Sequence, residues 1–306
     1  MMKARTRNPI IPGSNNDRTG SGVIVRRALA DITRRFDGLQ ADVLAVFDGI
    51  RTYGLNDESG AVAYALTPEE MAAVSQALAD ALDRWIGAGK EPAHLMWYAP
   101  YDVEASQLGA AQAVANLSAL APSYASVRSL QAIIYSTPYK TRVGMAQVKS
   151  YEHWTGLSSG MRSELSQIIG RAVVDGRNPK AVRSEIMERL DASKARANLY
   201  AQTDITDTLR QSRWAESDYA EESLGIKTGM LWTSALKPTT RPSHAARHGK
   251  VYTTNEVRDF YGKDGNRMHC FCACTEALLD EDGKPILTDR LKQVMTAERK
   301  GWKPAD

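Results

Sequence analysis

Apolar positions in the first two thirds of the chain recur every three or four residues, the spacing of an amphipathic helix. Between Val23 and Ile50 they fall at Val25, Ala28, Leu29, Ile32, Phe36, Leu39, Val43, Val46 and Phe47, which share one face and predict a helix. Arg26, Arg27, Arg34 and Arg35 in the same stretch read as its solvated side rather than as a nucleic-acid contact. A second helix is predicted over Thr67 to Ile86. Thr67 is placed to cap it, Pro68 suits the first helical position, Glu70 completes a capping box, and Gly87 and Gly89 end it. Further helices are predicted at about 104–120, 127–135 and 159–174. Asn178-Pro179 opens a short helix through Leu190. A long helix is then expected from about Ser193 to Ser223, with Ala197, Tyr200, Ala201, Ile205, Leu209 and Trp214 among its apolar positions and Gly225 beyond its end.

After Gly225 the pattern shortens. Thr228 to Ala235, Lys250 to Thr253 and Thr275 to Leu279 read as short strands separated by turns. The fold class is therefore mostly α-helical, with a small C-terminal α+β module of short strands around a Cys/His cluster. Four regions follow: a flexible basic arm over 1–22, a helical N-terminal domain over 23–150, a domain over 151–285 joining the long helix 193–223 to a module at 226–285, and a C-terminal tail over 286–306. The arm carries Lys3, Arg5, Arg7 and Arg18 among Pro9, Pro12, Gly13 and Gly20. It reads as a frayed terminus, with ordering on a partner as the alternative.

The 306 residues suffice for a sizeable core and two domains. Hydrophobic content of 43% and charged content of 25% are those of a globular protein, and a net charge of +3 does not by itself argue for nucleic acid. No apolar run reaches the roughly 18 residues of a membrane span, and the basic start lacks the apolar stretch of a secretory signal.

The chemistry is concentrated near the end. All three cysteines, Cys270, Cys272 and Cys274, lie within five residues, in Met-His-Cys-Phe-Cys-Ala-Cys. His244, His248 and His269 fall just upstream, while His94 and His153 stand among aromatics and read as packing residues. Cysteines this close form no dispersed disulfide framework, which points to a reducing compartment. Soft ligands gathered in a small segment mark a local cross-link or a site.

Three blocks in order resemble the phage head morphogenesis family, the minor head proteins similar to protein F of phage Mu. Arg196-Ala197-Asn198-Leu199-Tyr200-Ala201-Gln202-Thr203-Asp204 is similar to the family's helix with an Ala-Arg-Thr-Glu core. Leu231-Trp232-Thr233-Ser234-Ala235-Leu236 comes next, with Thr240-Arg241-Pro242-Ser243-His244 and His248-Gly249-Lys250-Val251-Tyr252. His269-Cys270-Phe271-Cys272-Ala273-Cys274 is similar to the family's His-x-x-Cys-x-Cys ending. The resemblance covers about 155–280. It departs from the family at the Cys-x-x-Cys pair, whose positions are held here by Arg241 and His244.

The resemblance implies a minor head protein of the virion, present in the host cytoplasm during assembly, with the portal and a major capsid or scaffolding protein as partners. Packaged DNA would be at most a weak contact of the basic arm. A tetrahedral zinc site would draw on His244, His269, Cys272 and Cys274, with His248 or Cys270 as substitutes. The alternative is an unmetallated turn of packed thiols and hydrogen-bonded histidines. Arg241, in a rigid turn, is expected to pair with Asp204 or Asp207 on the long helix, with an exposed loop arginine as the alternative. No catalytic residues are assigned. The competing function is a metal-dependent nuclease or hydrolase, for which His248, Asn266 and His269 would have to converge. A zinc-dependent DNA-binding module is disfavoured, because Arg241, Arg247, Lys250, Lys263 and Arg267 lie on expected loops rather than on a recognition helix.

Overall fold

The computed structural model describes residues 8–54, 62–87 and 91–305. Lys3, Arg5, Arg7 and Gly89 lie outside them. In chain order the elements are α1 (Gly22–Asp48), β1 (Thr52–Gly54), β2 (Val62–Tyr64), α2 (Pro68–Trp85), a short 3-10 turn at Ala93–Leu95, α3 (Ala99–Leu120), α4 (Pro122–Val127), α5 (Leu130–Ile134), α6 (Thr137–Asp175) and α7 (Pro179–Leu224). They continue with β3 (Thr228–Thr233), α8 (Pro242–Ala245), β4 (Val251–Tyr252), α9 (Thr254–Tyr261), β5 (Ala273–Leu278) and α10 (Asp289–Gly301). The protein is thus mostly helical, with short antiparallel strands gathered near the C-terminus.

Several elements are longer or more numerous than the sequence pattern implies. The two helices expected at 179–190 and 193–223 are one helix of 46 residues, α7. Asp191 and Ala192 offer no backbone bar to continuation, and the helix contains neither glycine nor, beyond its first residue, proline. Likewise α6 begins at Thr137, well before the expected 159, and carries Gly144, Gly156, Gly160 and Gly170 within its length. The helix α2 has its capping box as expected: Thr67 Oγ1 accepts from Glu70 N at 3.2 Å, and Glu70 Oε2 accepts from Thr67 N at 2.8 Å.

Two compact units divide the chain, each built from non-adjacent stretches. One takes Arg27–Ala99 and Gln147–Ala201, and the other takes the chain up to Arg26, Pro100–Ala146 and everything from Gln202 onward. Residue 150, expected as a domain boundary, lies inside α6.

The first unit is helical, with a small β1–β2 hairpin that its sequence did not signal. Its aromatic centre packs Trp97 edge-on against Trp154 at 4.8 Å, with the Arg35 guanidinium 4.2 Å from the Trp97 ring centre. Trp85 lies so close to Gly38 that a Cβ there would sit 2.4 Å from the indole. Glycine is therefore required at that crossing. His153 stacks on Tyr200 at 4.8 Å, a packing role.

The second unit holds the sheet, ordered β4-β3-β5 and antiparallel throughout. The central strand β3 is buried along its whole length, and its alternate side chains serve two cores. Met230 and Trp232 join Trp214, Val257, Tyr261 and the three cysteines in one apolar cluster. Leu231 joins Ala277, Leu287 and Met295 in another. Met295 belongs to α10, so the region expected as a C-terminal tail supplies a helix that helps cover the sheet. Thr288 caps that helix, Asp289 lies in its first turn, and Arg299 and Lys300 lie in its last, each suited to the helix dipole.

Part of the expected flexible arm is also built in. Arg18 N donates to Phe271 O at 3.2 Å, Ile10 N to Asn116 Oδ1 at 2.8 Å, and Thr19 and Ser21 are buried. Asp17 satisfies the turn by accepting from Thr19 N and Gly22 N. Short polar side chains that hydrogen-bond their own backbone made this segment look like a loop, and the same bonds hold it in place.

The helices α3 and α7 meet at Gly109, where a Cβ would lie 2.2 Å from Leu209 O. Beside that contact a buried polar network ties both helices to β5. Arg213 donates from Nε and Nη2 to the two Glu276 carboxylate oxygens at 3.0 and 2.6 Å. Asn116 Nδ2 donates to Glu276 Oε2 at 2.8 Å and to Glu276 O at 2.7 Å. Arg213 and Glu276 are both almost fully buried. Removing one charge would strand the other away from water. Glu276→Gln is therefore expected to lower unfolding free energy by about 3–5 kcal/mol in urea denaturation. A loss below about 1 kcal/mol would show that the pair does not hold these elements together.

Candidate metal centre

The short helix α8 carries His244, and the irregular segment before β5 carries Cys270 and Cys272. His244 Nδ1 lies 3.4 Å from Cys270 Sγ and 3.7 Å from Cys272 Sγ. The three ligand atoms all fall within 4.8 Å of one another, and all three residues are buried. With Zn–S near 2.3 Å and Zn–N near 2.0–2.1 Å, the edges of a tetrahedral site are about 3.5–3.8 Å. The observed nitrogen–sulfur separations match that spacing.

The histidine is oriented for ligation. Asn266 Nδ2 donates to Phe260 O at 3.0 Å, which turns its Oδ1 toward His244 Nε2 at 3.2 Å. An amide oxygen only accepts, so Nε2 carries the proton and Nδ1 presents a lone pair to the thiols. Phe260, Trp232 and Tyr261 surround the imidazole with ring centres 5.0, 5.7 and 6.2 Å away.

The cysteine segment is gripped from α7. Arg210, fully buried, donates from Nη2 to Cys270 O at 2.6 Å and Cys272 O at 3.0 Å, and from Nε to Cys272 O at 3.3 Å. Its guanidinium lies 4.5 Å from the Tyr261 ring centre. Burial opposes ionisation of Cys270. The hydrogen bond from Cys272, the Arg210 charge and His244 outweigh it and hold the Cys270 thiol well below its ordinary range. Cys272 moves the other way, raised by its hydrogen bond to Cys270 and by burial.

The expected ligand set is only half assembled. His244 and Cys272 come together, Cys270 is the second thiol, and Cys274 and His269 stand outside the group. The sheet explains Cys274. It pairs with Trp232 in the β3–β5 ladder and points into the apolar cluster, where burial pushes its thiol up to about 12. His269 has a left-handed backbone, φ 50°, and an exposed ring, and its N–H donates to Thr203 Oγ1 at 3.1 Å.

Arg241 also differs from expectation. It donates to Asn266 O at 3.2 Å and Met268 O at 2.7 Å, pinning a loop of its own module, while Arg267 approaches Asp207 at 4.0 Å. Carbonyls at the end of the loop compete successfully for a guanidinium held in a tight turn. The three residues needed for the nuclease reading face different partners. Asn266 orients His244, His269 is exposed, and His248 is bound on both nitrogens. A cavity of about 410 Å³ opens beside the cluster, lined in part by His244, Cys270 and Cys272.

With this geometry in place the comparisons can be read. Residues 163–277 match a family of phage head morphogenesis proteins. The family is described as Phage Mu protein F like protein, and the match covers just over a third of the chain. No curated protein and no solved structure matches the chain. The matched span contains α7 from its start to its end, β3 and nearly all of β5, and so includes His244, Cys270, Cys272, Asn266 and Arg210.

Sequence reasoning missed Arg210 and Glu298, and it considered Asn266 only for the nuclease alternative, not as the partner of His244. Arg210 follows Leu209 on a helix rich in charge, and nothing in the helical pattern marks it as buried. Glu298 lies in the region expected as a tail. It meets His248 Nε2 at 2.9 Å, while Ser234 N donates to His248 Nδ1 at 3.0 Å.

His248 is thus held as the neutral Nε2–H tautomer. Burial lowers its pKa, and the charges of Arg18 and Arg299 add to that, outweighing the Glu298 carboxylate. A base whose folded pKa is depressed contributes stability that is complete above its unfolded value of about 6.5 and is lost as pH falls. In a histidine NMR titration, His248 is expected to stay neutral below pH 6.5 and to protonate only as the module loosens. A midpoint above 6.5 would contradict this.

Proposed function

We propose that this protein is a minor head protein that enters the virion with the portal vertex and assists assembly or genome delivery. Its Cys/His module would be a rigid contact element stapled by zinc. The observation that carries the reading is that the family match over 163–277 coincides with the helix and sheet that assemble His244, Cys270 and Cys272. No helix among the described residues is long and apolar enough to cross a membrane. Portal and capsid or scaffolding proteins are the proposed partners, the virion the proposed location, and host cytoplasm the site of assembly.

A donor set of one imidazole and two thiols, with nitrogen–sulfur separations of tetrahedral edges, suits zinc better than calcium or magnesium, which prefer oxygen. Bound zinc would tie α8 to the segment before β5, linking residues 26 and 28 positions apart in sequence. At a thousandfold excess over Kd such binding adds about 4 kcal/mol to the folded state. The cavity beside the three ligands supports a second, hydrolytic reading, since a free coordination position is what a catalytic zinc requires. No paired carboxylates line that cavity. We therefore favour the structural role.

Elemental analysis of the untagged chain tests the staple. About one zinc per chain is expected, retained in Cys274→Ser and lost in Cys270→Ser and Cys272→Ser, with a melting temperature lowered by several degrees. Equal zinc loss in Cys274→Ser, or none in the other two, would refute the ligand set. Capture of the portal protein from infected cells tests the assembly role. Absence of this chain from purified virions and from portal complexes would end it.

A further inference from the structure

The cavity beside the cysteines has chemistry that the zinc staple does not use. Its walls carry Lys237, Thr239, Thr240, Arg241, His269 and Phe271, and no acidic side chain lines it. Arg241 is fixed in place by the carbonyls of Asn266 and Met268, which leaves its Nε and second Nη protons unspent. Lys237 Nζ lies 3.8 Å from the centre of the Phe271 ring, a cation held by an aromatic face rather than by a carboxylate. Among the described residues neither Lys237 nor Arg241 takes part in an ion pair. Leu236, next to Lys237, and His269 both have left-handed backbones, φ 52° and 50°, which non-glycine residues seldom adopt. One of these residues lines the cavity and the other adjoins a residue that does, so the fold tolerates this strain at its edge, as binding sites commonly do. Partial desolvation and the charges of Arg241 and Lys237 lower the pKa of His269, which lines the same cavity as both cations.

We propose that this cavity binds a phosphate group, with Arg241 and Lys237 as its cationic clamp, the Thr239 and Thr240 hydroxyls as further donors, and Phe271 as a stacking platform for whatever the phosphate carries. Two fixed cations and no carboxylate favour a doubly charged oxyanion over a single carboxylate ligand. A volume of about 410 Å³ exceeds the needs of inorganic phosphate and accommodates a larger phosphate ester. The site needs no charge on His269 and no metal, so it stands or falls apart from the zinc staple and the assembly role.

Isothermal titration of the full-length protein in low-salt chloride buffer tests it, with inorganic phosphate, a deoxynucleoside 5′-monophosphate, an unphosphorylated single-stranded oligonucleotide and acetate as separate ligands. Saturable phosphate binding is expected, at least about tenfold weaker in Lys237→Gln and in Arg241→Gln. Tighter binding of the monophosphate than of phosphate identifies a free nucleotide as the source, and tighter binding of the oligonucleotide identifies a phosphodiester backbone. Arg241→Gln also removes two loop hydrogen bonds, so Lys237→Gln, with an unchanged melting temperature, is the deciding variant. No saturable binding of any phosphate ligand, acetate binding as tightly as phosphate, or unaltered affinity in Lys237→Gln would overturn the proposal. The zinc content of the same samples, measured in parallel, separates this outcome from failure of the staple.

Discussion

The cysteine segment depends on one buried cation. Arg210 comes from the interior of α7 and spends three hydrogen bonds on the main-chain oxygens of Cys270 and Cys272. A guanidinium out of water is costly unless its donors are matched, and here backbone carbonyls and the Tyr261 ring do most of the matching. Those carbonyls belong to an irregular stretch with no strand partner, so Arg210 in effect replaces the missing ladder. Its fixed fork geometry sets the spacing of the two cysteines, and the negative character favoured at Cys270 in turn helps to balance its charge. The cation and the thiol pair are mutually dependent parts of one site.

A second buried pair, Arg213 with Glu276, lies one helical turn further along α7 and fixes β5 to α3 and α7. Arg210 and Arg213 therefore anchor the two ends of one continuous segment, the first holding Cys270 to Cys272 and the second holding the strand that follows. Between them lies Cys274, whose register opposite Trp232 directs it into the apolar cluster. The direction of Cys274 thus follows from where the ladder begins, while Cys270 and Cys272 precede it and lie beside His244.

Much of this fold could be read from residue pattern alone. Helical spacing located α1, α2 and α7, the capping box at Thr67 and Glu70 was explicit, and the change of rhythm after Gly225 announced the strands. What could not be read depends on tertiary partners. Two exceptions were open to the pattern: no glycine or proline separates the two expected helices that fuse into α7, and α10, read as a tail, is as amphipathic as α1. The site was legible as a neighbourhood but not as a ligand set. His244 and Cys272 do come together as expected, while the grouping of Cys270 rather than Cys274 with them depends on the β5 register, and His269 stands apart on a left-handed backbone. Arg210 gave no local signal, and Asn266 was noted only for the nuclease alternative, because a buried arginine and a histidine-orienting amide are defined by what they touch.

The central claim is that His244, Cys270 and Cys272 form one metal-binding set positioned by Arg210. Zinc K-edge X-ray absorption on the purified full-length protein tests it most directly. The account predicts two sulfur scatterers at about 2.3 Å, with the remaining ligands nitrogen or oxygen at about 2.0–2.2 Å. Three sulfur scatterers would bring Cys274 into the site, and a shell of light atoms alone would place the metal elsewhere. Either result would contradict the account.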